Sequence, residues 1–190
     1  MQLVFATNNE NKIKEIKSAL GNEFEILSLK DINCLEELPE TQETLAGNAL
    51  QKAKYVSDNY NVNCFADDTG LVIEALNGEP GVYSARYAGE GKIASDNIKK
   101  VLNNLKGLEN RNAFFETSIA LIIDKKEVLF SGTAKGAITT EVSGEDGFGY
   151  DPIFKPVGLK RTFAELTIEE KNQISHRGKA FRKMCEYLLK

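Results

Sequence analysis

Apolar residues dominate positions 2–6 and give way at the polar Thr7-Asn8-Asn9. Ile13, Ile16, Ala19 and Leu20 then recur at helical spacing until Gly21, so the chain opens as strand, loop, helix. Phe24, Ile26 and Leu27 predict a second strand. Leu45, Ala49, Ala53 and Val56, with Ala46 and Leu50 alongside, form an apolar stripe that predicts a long helix over residues 43–60. Asn63-Cys64-Phe65-Ala66 reads as a short strand, with Thr69-Gly70 as the turn that stops it. Ser95 is placed to cap a shorter helix that reaches about Leu105. Residues 113–123 and 127–139 are rich in β-branched and aromatic side chains, and Asp124-Lys125-Lys126 between them predicts a hairpin. Residues 144–150 form a glycine-rich loop. A last helix starts near Ser175 and carries Ala180, Phe181, Met184, Leu188 and Leu189. Elements that partly alternate and partly pair in a hairpin predict an α/β protein with a mixed sheet.

Composition narrows the class. At 190 residues the chain suits one domain, spanning residues 1–190, with enough length to bury a substantial core. The net charge of −4 argues against a strong nucleic-acid or membrane field over the whole surface. The charge is unevenly placed, however. Between residues 31 and 48 stand Asp31, Glu36, Glu37, Glu40 and Glu43 with no Lys or Arg, whereas residues 155–190 hold nine basic residues against four acidic. Such poles suit a metal-plus-polyphosphate ligand or, equally, two solvated faces. Cys34, Cys64 and Cys185 show no CxxC or Cys/His spacing, so neither a zinc site nor a disulfide framework is predicted. No long apolar run follows the N-terminus, and a reduced, cytoplasmic setting is the expectation.

Four segments carry candidate chemistry. Asp67-Asp68 puts adjacent carboxylates at a predicted strand end, where they need a metal, a shared proton or a cation unless they simply form a solvated turn. Thr7-Asn8-Asn9-Glu10-Asn11-Lys12 lies between a strand and a helix start, a position that attracts anions, although capping by Asn8 or Asn9 explains it as well. It contains no glycine and is not a Walker loop. Gly144-Glu145-Asp146-Gly147-Phe148-Gly149-Tyr150-Asp151-Pro152 combines close-approach glycines with aromatics that can stack on a base; a long turn around a buried aromatic is the plain alternative. Ser175-His176-Arg177-Gly178-Lys179 sets cations at a helix N-terminus, where the macrodipole disfavours them unless an anion sits between. No Gly-x-Ser-x-Gly elbow supports a serine hydrolase.

Together these segments resemble the inosine triphosphate pyrophosphatases. The matching pieces are Thr7 to Lys12, Phe65-Ala66-Asp67-Asp68-Thr69-Gly70, Pro80-Gly81-Val82-Tyr83-Ser84-Ala85-Arg86-Tyr87-Ala88-Gly89, Gly147-Phe148-Gly149-Tyr150-Asp151-Pro152 and Ser175-His176-Arg177-Gly178. They stand in the family's order across nearly the whole chain. The resemblance implies an elongated mixed β-sheet flanked by helices, with two lobes around a central nucleotide-binding cleft, and a homodimer. It implies Mg²⁺-dependent hydrolysis of ITP, dITP and XTP to the monophosphate and pyrophosphate, which cleanses the nucleotide pool. By the same resemblance Thr7, Asn8, Asn9, Glu10, Asn11 and Lys12 hold the triphosphate. Asp68 is metal ligand and general base, Glu40 the second metal position, and Thr69 a substrate-contacting hydroxyl. Phe148, Gly149, Tyr150 and Asp151 form the base-binding loop, Lys171 is a further substrate contact, and His176 and Arg177 read the base and its surroundings.

A pyrophosphatase for modified pyrimidine triphosphates is disfavoured by the Gly-Phe-Gly-Tyr-Asp and Ser-His-Arg segments. A regulatory protein that binds nucleotide without turnover is disfavoured by the presence of both Asp68 and Lys12, since binding alone needs no water-activating carboxylate. An RNA-binding module does not suit an acidic chain that lacks an aromatic-interleaved basic stripe.

Overall fold

The computed structural model describes residues 1–20 and 24–190, and it bears out the mixed α/β class. The chain runs β1 (Gln2–Phe5), α1 (Glu10–Leu20), β2 (Glu25–Leu27), α2 (Leu45–Tyr60), β3 (Cys64–Ile73), β4 (Pro80–Gly81), α3 (Ala94–Asn104), β5 (Asn112–Ile123), β6 (Lys126–Ile138), β7 (Phe154–Pro156), α4 (Ile168–Ile174) and α5 (His176–Leu188). The strands form one sheet in the order β2-β1-β3-β5-β6-β7, with β4 paired to β3. β1 is parallel to both β2 and β3, with Leu3 opposite Ile26 and Phe5 opposite Phe65. β4 and β7 pair antiparallel with β3 and β6. Asp124 and Lys125 both take positive φ, the two-residue hairpin geometry that suits strand twist. No helix among the described residues is long and apolar enough to cross a membrane.

Three expectations shift. β3 does not stop at Thr69-Gly70 but continues to Ile73, because the apolar pattern resumes at Leu71 and Ile73 and both are fully buried. α3 starts at Ala94, so Ser95 lies in its first turn rather than at its cap. The Asn97 side chain, in the same turn, accepts from the Ala88 N–H and donates to the Ala85 carbonyl, which ties this end of α3 to the segment before it. α4 was not expected at all, although Thr167 and Glu170 form the reciprocal capping box that its sequence spells. The predicted stop of the first helix at Gly21 lies outside the described residues.

The chain divides into two compact units. The first comprises Met1–Asp68, Thr117–Gly132 and Arg177–Lys190; the second comprises Thr69–Glu116 and Thr133–His176. In the first unit the two-residue period of the strands builds two separate cores. Leu3, Phe5 and Phe65 pack with Ile16 of α1 and with Ala180, Phe181 and Met184 of α5. Val4, Ala6, Cys64 and Ala66 face the other way, onto Ala49, Ala53 and Val56 of α2. The second unit has one core, in which Leu71 and Ile73 join Ile98, Val101 and Leu105 of α3 with Phe115, Phe154 and Phe163.

Candidate active site

Alternation along β3 decides what the adjacent carboxylates do. Phe65 and Asp67 project to the face covered by α1 and α5, while Ala66 and Asp68 project to the face covered by α2. Asp67 and Asp68 therefore take different side-chain hydrogen-bond donors, although Lys12 and Lys52 act electrostatically on both carboxyls.

On the α1/α5 face, Lys12 Nζ donates to Asp67 Oδ1 at 2.9 Å and Arg177 Nε to Asp67 Oδ2 at 3.1 Å. Arg177 Nη1 also donates to Glu15 Oε2 at 2.5 Å. The Asp67 side chain is 1% exposed and that of Arg177 2%. Burial pushes the Asp67 carboxyl up, but Lys12, Arg177 and Lys52 together outweigh it and hold the group well below its ordinary value. Burial lowers the Lys12 ammonium, with Lys52 and Arg177 adding to the drop against the pull of Asp67. For Arg177, Glu15 and Asp67 overcome the burial cost and raise it.

The α2 face carries a different arrangement. Lys52 Nζ donates to Glu40 Oε1 at 2.5 Å and to the Asp67 carbonyl at 2.8 Å, and lies 3.9 Å from Asp68 Oδ1. Asn48 Nδ2 donates to Asp68 Oδ2 at 3.0 Å. Asp68 is 13% exposed and Glu40 30% exposed. Burial raises the Asp68 carboxyl above its ordinary value despite Lys52 and Lys12. Lys52 is raised in turn, because Asp68, Glu40 and Asp67 outweigh its own burial. Among the described residues of this cluster, the cations Lys12, Lys52 and Arg177 meet the carboxylates Glu15, Glu40, Asp67 and Asp68. Asp68 and Glu40 are the more accessible of the four carboxylates.

The first loop begins as its capping alternative describes. Asn9 Oδ1 accepts from the N–H groups of Asn11 and Lys12 at 3.0 and 3.3 Å, and Thr7 Oγ1 accepts from the Asn9 N–H. Asn8, Asn9, Glu10 and Asn11 are exposed, Lys12 is half-buried and Thr7 is buried.

The second unit holds the aromatic group. Asp151, buried, accepts on Oδ2 from the Phe148 N–H at 2.8 Å and from Lys171 Nζ at 2.5 Å. Lys171 Nζ lies 4.9 Å from the centre of the Phe148 ring. Gly147 takes φ +74°, and a Cβ there would strike the Asp151 carboxylate. The Tyr150 hydroxyl donates to the Ser84 carbonyl at 2.7 Å, and the Ser84 hydroxyl accepts from the Leu71 N–H at 2.8 Å. The His176 ring stacks on Phe115 with centroids 4.5 Å apart and is buried. Thr69 and Gly149 belong to this unit as well.

His176 and Arg177, treated as a pair in the sequence, part company: one stacks on Phe115 and the other pairs with Asp67 and Glu15. The anion expected to offset cations at the start of α5 is supplied by the protein's own carboxylates. Lys12 and Lys171 are likewise met by Asp67 and Asp151. A ligand is therefore not needed to balance them. Glu15, Asn48 and Lys52 were missed. The available signal was a polar residue on an apolar helix face: Asn48 and Lys52 lie four apart on the side of α2 that carries Ala49, Ala53 and Val56.

A model of the Ham1 family matches residues 3–187. A dITP/XTP pyrophosphatase of Flavobacterium johnsoniae is 56% identical over 188 residues, 99% of this chain and 98% of its own. The Ham1 protein of Staphylococcus aureus superposes with a TM-score of 0.88 at 39% identity, covering 99% of this chain and 98% of its own. A HAM1 protein from Coxiella burnetii gives a TM-score of 0.90 at 36% identity, covering 100% and 98%. The resemblance drawn from the motifs is borne out, and the chain belongs to the Ham1 family.

Proposed function

We propose that the protein hydrolyses the non-standard purine nucleoside triphosphates dITP, XTP and ITP to the monophosphate and pyrophosphate, with Mg²⁺, in the cytoplasm. The observation that supports this most is the division of labour on β3. Asp67 is locked between Lys12 and Arg177, whereas Asp68 is more accessible, has a raised carboxyl pKa and lies beside the Glu40–Lys52 pair. A raised carboxylate is the better proton acceptor near neutral pH.

The donor set suits the metal. Among the described residues no three His, Cys, Asp or Glu are arranged to hold an ion. Mg²⁺ needs no such cage, since it binds through one or two carboxylates and keeps water and substrate phosphate for the rest. Asp68 and Glu40, both reaching the Lys52 ammonium and both partly exposed, are two oxygen donors of this kind. Bound there, Mg²⁺ would neutralise phosphate oxygens and the departing pyrophosphate.

Asp68 orients a water molecule and accepts its proton as the water oxygen bonds to the α-phosphorus. The bond from that phosphorus to the α–β bridging oxygen breaks, and its electron pair leaves with pyrophosphate. Residues Thr7 to Lys12 take the triphosphate and Thr69 adds a hydroxyl contact. Phe148 to Asp151, Lys171 and His176 take the base, where donors directed at O6 favour hypoxanthine and xanthine over adenine. An unmatched buried polar group costs about 1–3 kcal/mol, roughly one to two orders of magnitude in selectivity. The test is a triphosphate panel with Mg²⁺ and product identification. Pyrophosphate should appear from dITP, XTP and ITP far faster than from ATP or GTP. Nucleoside diphosphate and inorganic phosphate as products would overturn the proposal.

A further inference from the structure

We infer that Asn48 is a positioning residue: its buried carboxamide sets the rotamer of Asp68 and ties it to the segment that carries Glu40. The inference rests on the proposed role of Asp68. Asn48 lies in the first turn of α2, is 2% exposed, and uses both ends of its amide. Oδ1 accepts from the Gln42 N–H at 2.9 Å, and Nδ2 donates to Asp68 Oδ2 at 3.0 Å. The Gln42 N–H can only donate, so the oxygen must face it and the NH₂ must face Asp68. An amide held in this sense fixes one carboxylate oxygen of Asp68 and leaves Oδ1 as the oxygen on the Lys52 side, 3.9 Å from Nζ. A carboxylate free to rotate would present either oxygen, and small losses of orientation cost rate steeply.

Two further features support the contact. Gly47 precedes Asn48, and a Cβ at this position would lie 2.8 Å from Gln42 Cβ and 2.9 Å from Thr44 Oγ1. The absent side chain is what lets residues 42–44 lie against α2 closely enough for Asn48 to reach the Gln42 N–H. The neighbouring Gln51 pins the same segment through Thr41, accepting from its N–H and donating to its hydroxyl, both at 2.9 Å, but does not bond to Asp68. Anchoring of the segment and positioning of Asp68 are thus separable.

The experiment compares Asn48→Leu and Gln51→Ala with the wild-type protein, using dITP and XTP with Mg²⁺, thermal melting, and NMR of the side-chain amides. Asn48→Leu should lower kcat about ten- to a hundredfold with KM for the nucleotide within threefold, whereas Gln51→Ala should keep kcat within twofold. Wild-type kcat in folded Asn48→Leu, or a rise confined to KM, would overturn the inference. Should Asn48→Leu fail to fold, the Asn48 NH₂ resonances of the wild-type protein decide. They should shift in Asp68→Asn, and unchanged resonances would overturn the contact. Inactivity of the wild type toward both nucleotides would overturn the functional proposal instead, and the amide shift would still test the Asn48–Asp68 contact.

Discussion

Asp67→Asn should unfold this protein more readily while Asp68→Asn should not. In the wild type both Asp67 oxygens accept from cations, Lys12 at 2.9 Å and Arg177 at 3.1 Å, in a position 1% exposed. Asparagine keeps the shape but removes the charge and turns one acceptor into a donor that faces a cation. Arg177 retains Glu15, whereas Lys12 loses the carboxylate that it pairs with at Asp67. Breaking a buried pair from one side costs about 3–5 kcal/mol, against a total stability of about 5–15 kcal/mol. For a chain of this size that is a fall of about 6–20 °C in Tm. Because the folded carboxyl lies below its ordinary value of 3.8, its contribution is complete above that pH and is lost as pH falls from 3.8 through the depressed value. Urea melts at pH 7 and pH 3 provide the assay. Asp67→Asn should lie well below wild type at pH 7, and the gap should narrow at pH 3. A stability within about 1 kcal/mol of wild type at pH 7 would refute the view that Asp67 is the buried clamp.

Other outcomes follow from the same contacts. Asp68→Asn should hold its Tm within a few degrees, since burial already opposes the charged form, and lose about 10²–10⁴ in kcat, read by pyrophosphate release. Gly147→Ala, strained at φ +74° and forced against Asp151, should raise KM for ITP about tenfold by displacing Phe148, measured in steady-state assays. In native protein a thiol reagent at pH 8 should react quickly at the half-buried Cys185 alone. Cys34 is buried, and burial pushes the Cys64 thiol up to about 12; denaturation should release all three. Sedimentation equilibrium should return twice the 21.0 kDa chain mass if the homodimer implied by the resemblance forms.

Local patterns explain how much of this was legible. The stripe of Ala49, Ala53 and Val56 fixed α2 to within two residues at its start, and the hairpin at Asp124-Lys125-Lys126 was readable from the strands around it, one residue longer than the turn at Asp124 and Lys125. The failure at β3 has a physical cause. A pair of charged residues followed by Thr-Gly has the composition of a turn, and only distant partners such as Arg177, 110 positions away, make it tolerable inside a strand. The roles of Glu15, Asn48 and Lys52 depend in the same way on partners elsewhere in the chain. Periodicity could flag them as polar residues near apolar faces but could not name what they touch. His176 and Arg177 show the converse: adjacency suggested a joint role, and the helix directs them to different partners.

The strand period also accounts for how one dipeptide can contain a buried, paired carboxylate and a more accessible one. Had Asp67 and Asp68 stood in a turn, both carboxylates would compete for the same cations, and each would perturb the other's proton affinity. In β3 the backbone directs them to opposite faces, so α1 and α5 can neutralise Asp67 while α2 sets the surroundings of Asp68. Lys52 still couples the faces, through the Asp67 carbonyl, a 3.9 Å approach to Asp68 and its charge, which acts on both carboxyls. Asp67 is thereby held ionised between Lys12 and Arg177 while the Asp68 carboxyl is raised, and under the proposed function it is Asp68 that meets a proton or a divalent cation. An inserted residue between them would put both side chains on one face, and for that reason it should damage turnover and stability together, where either point substitution separates the two.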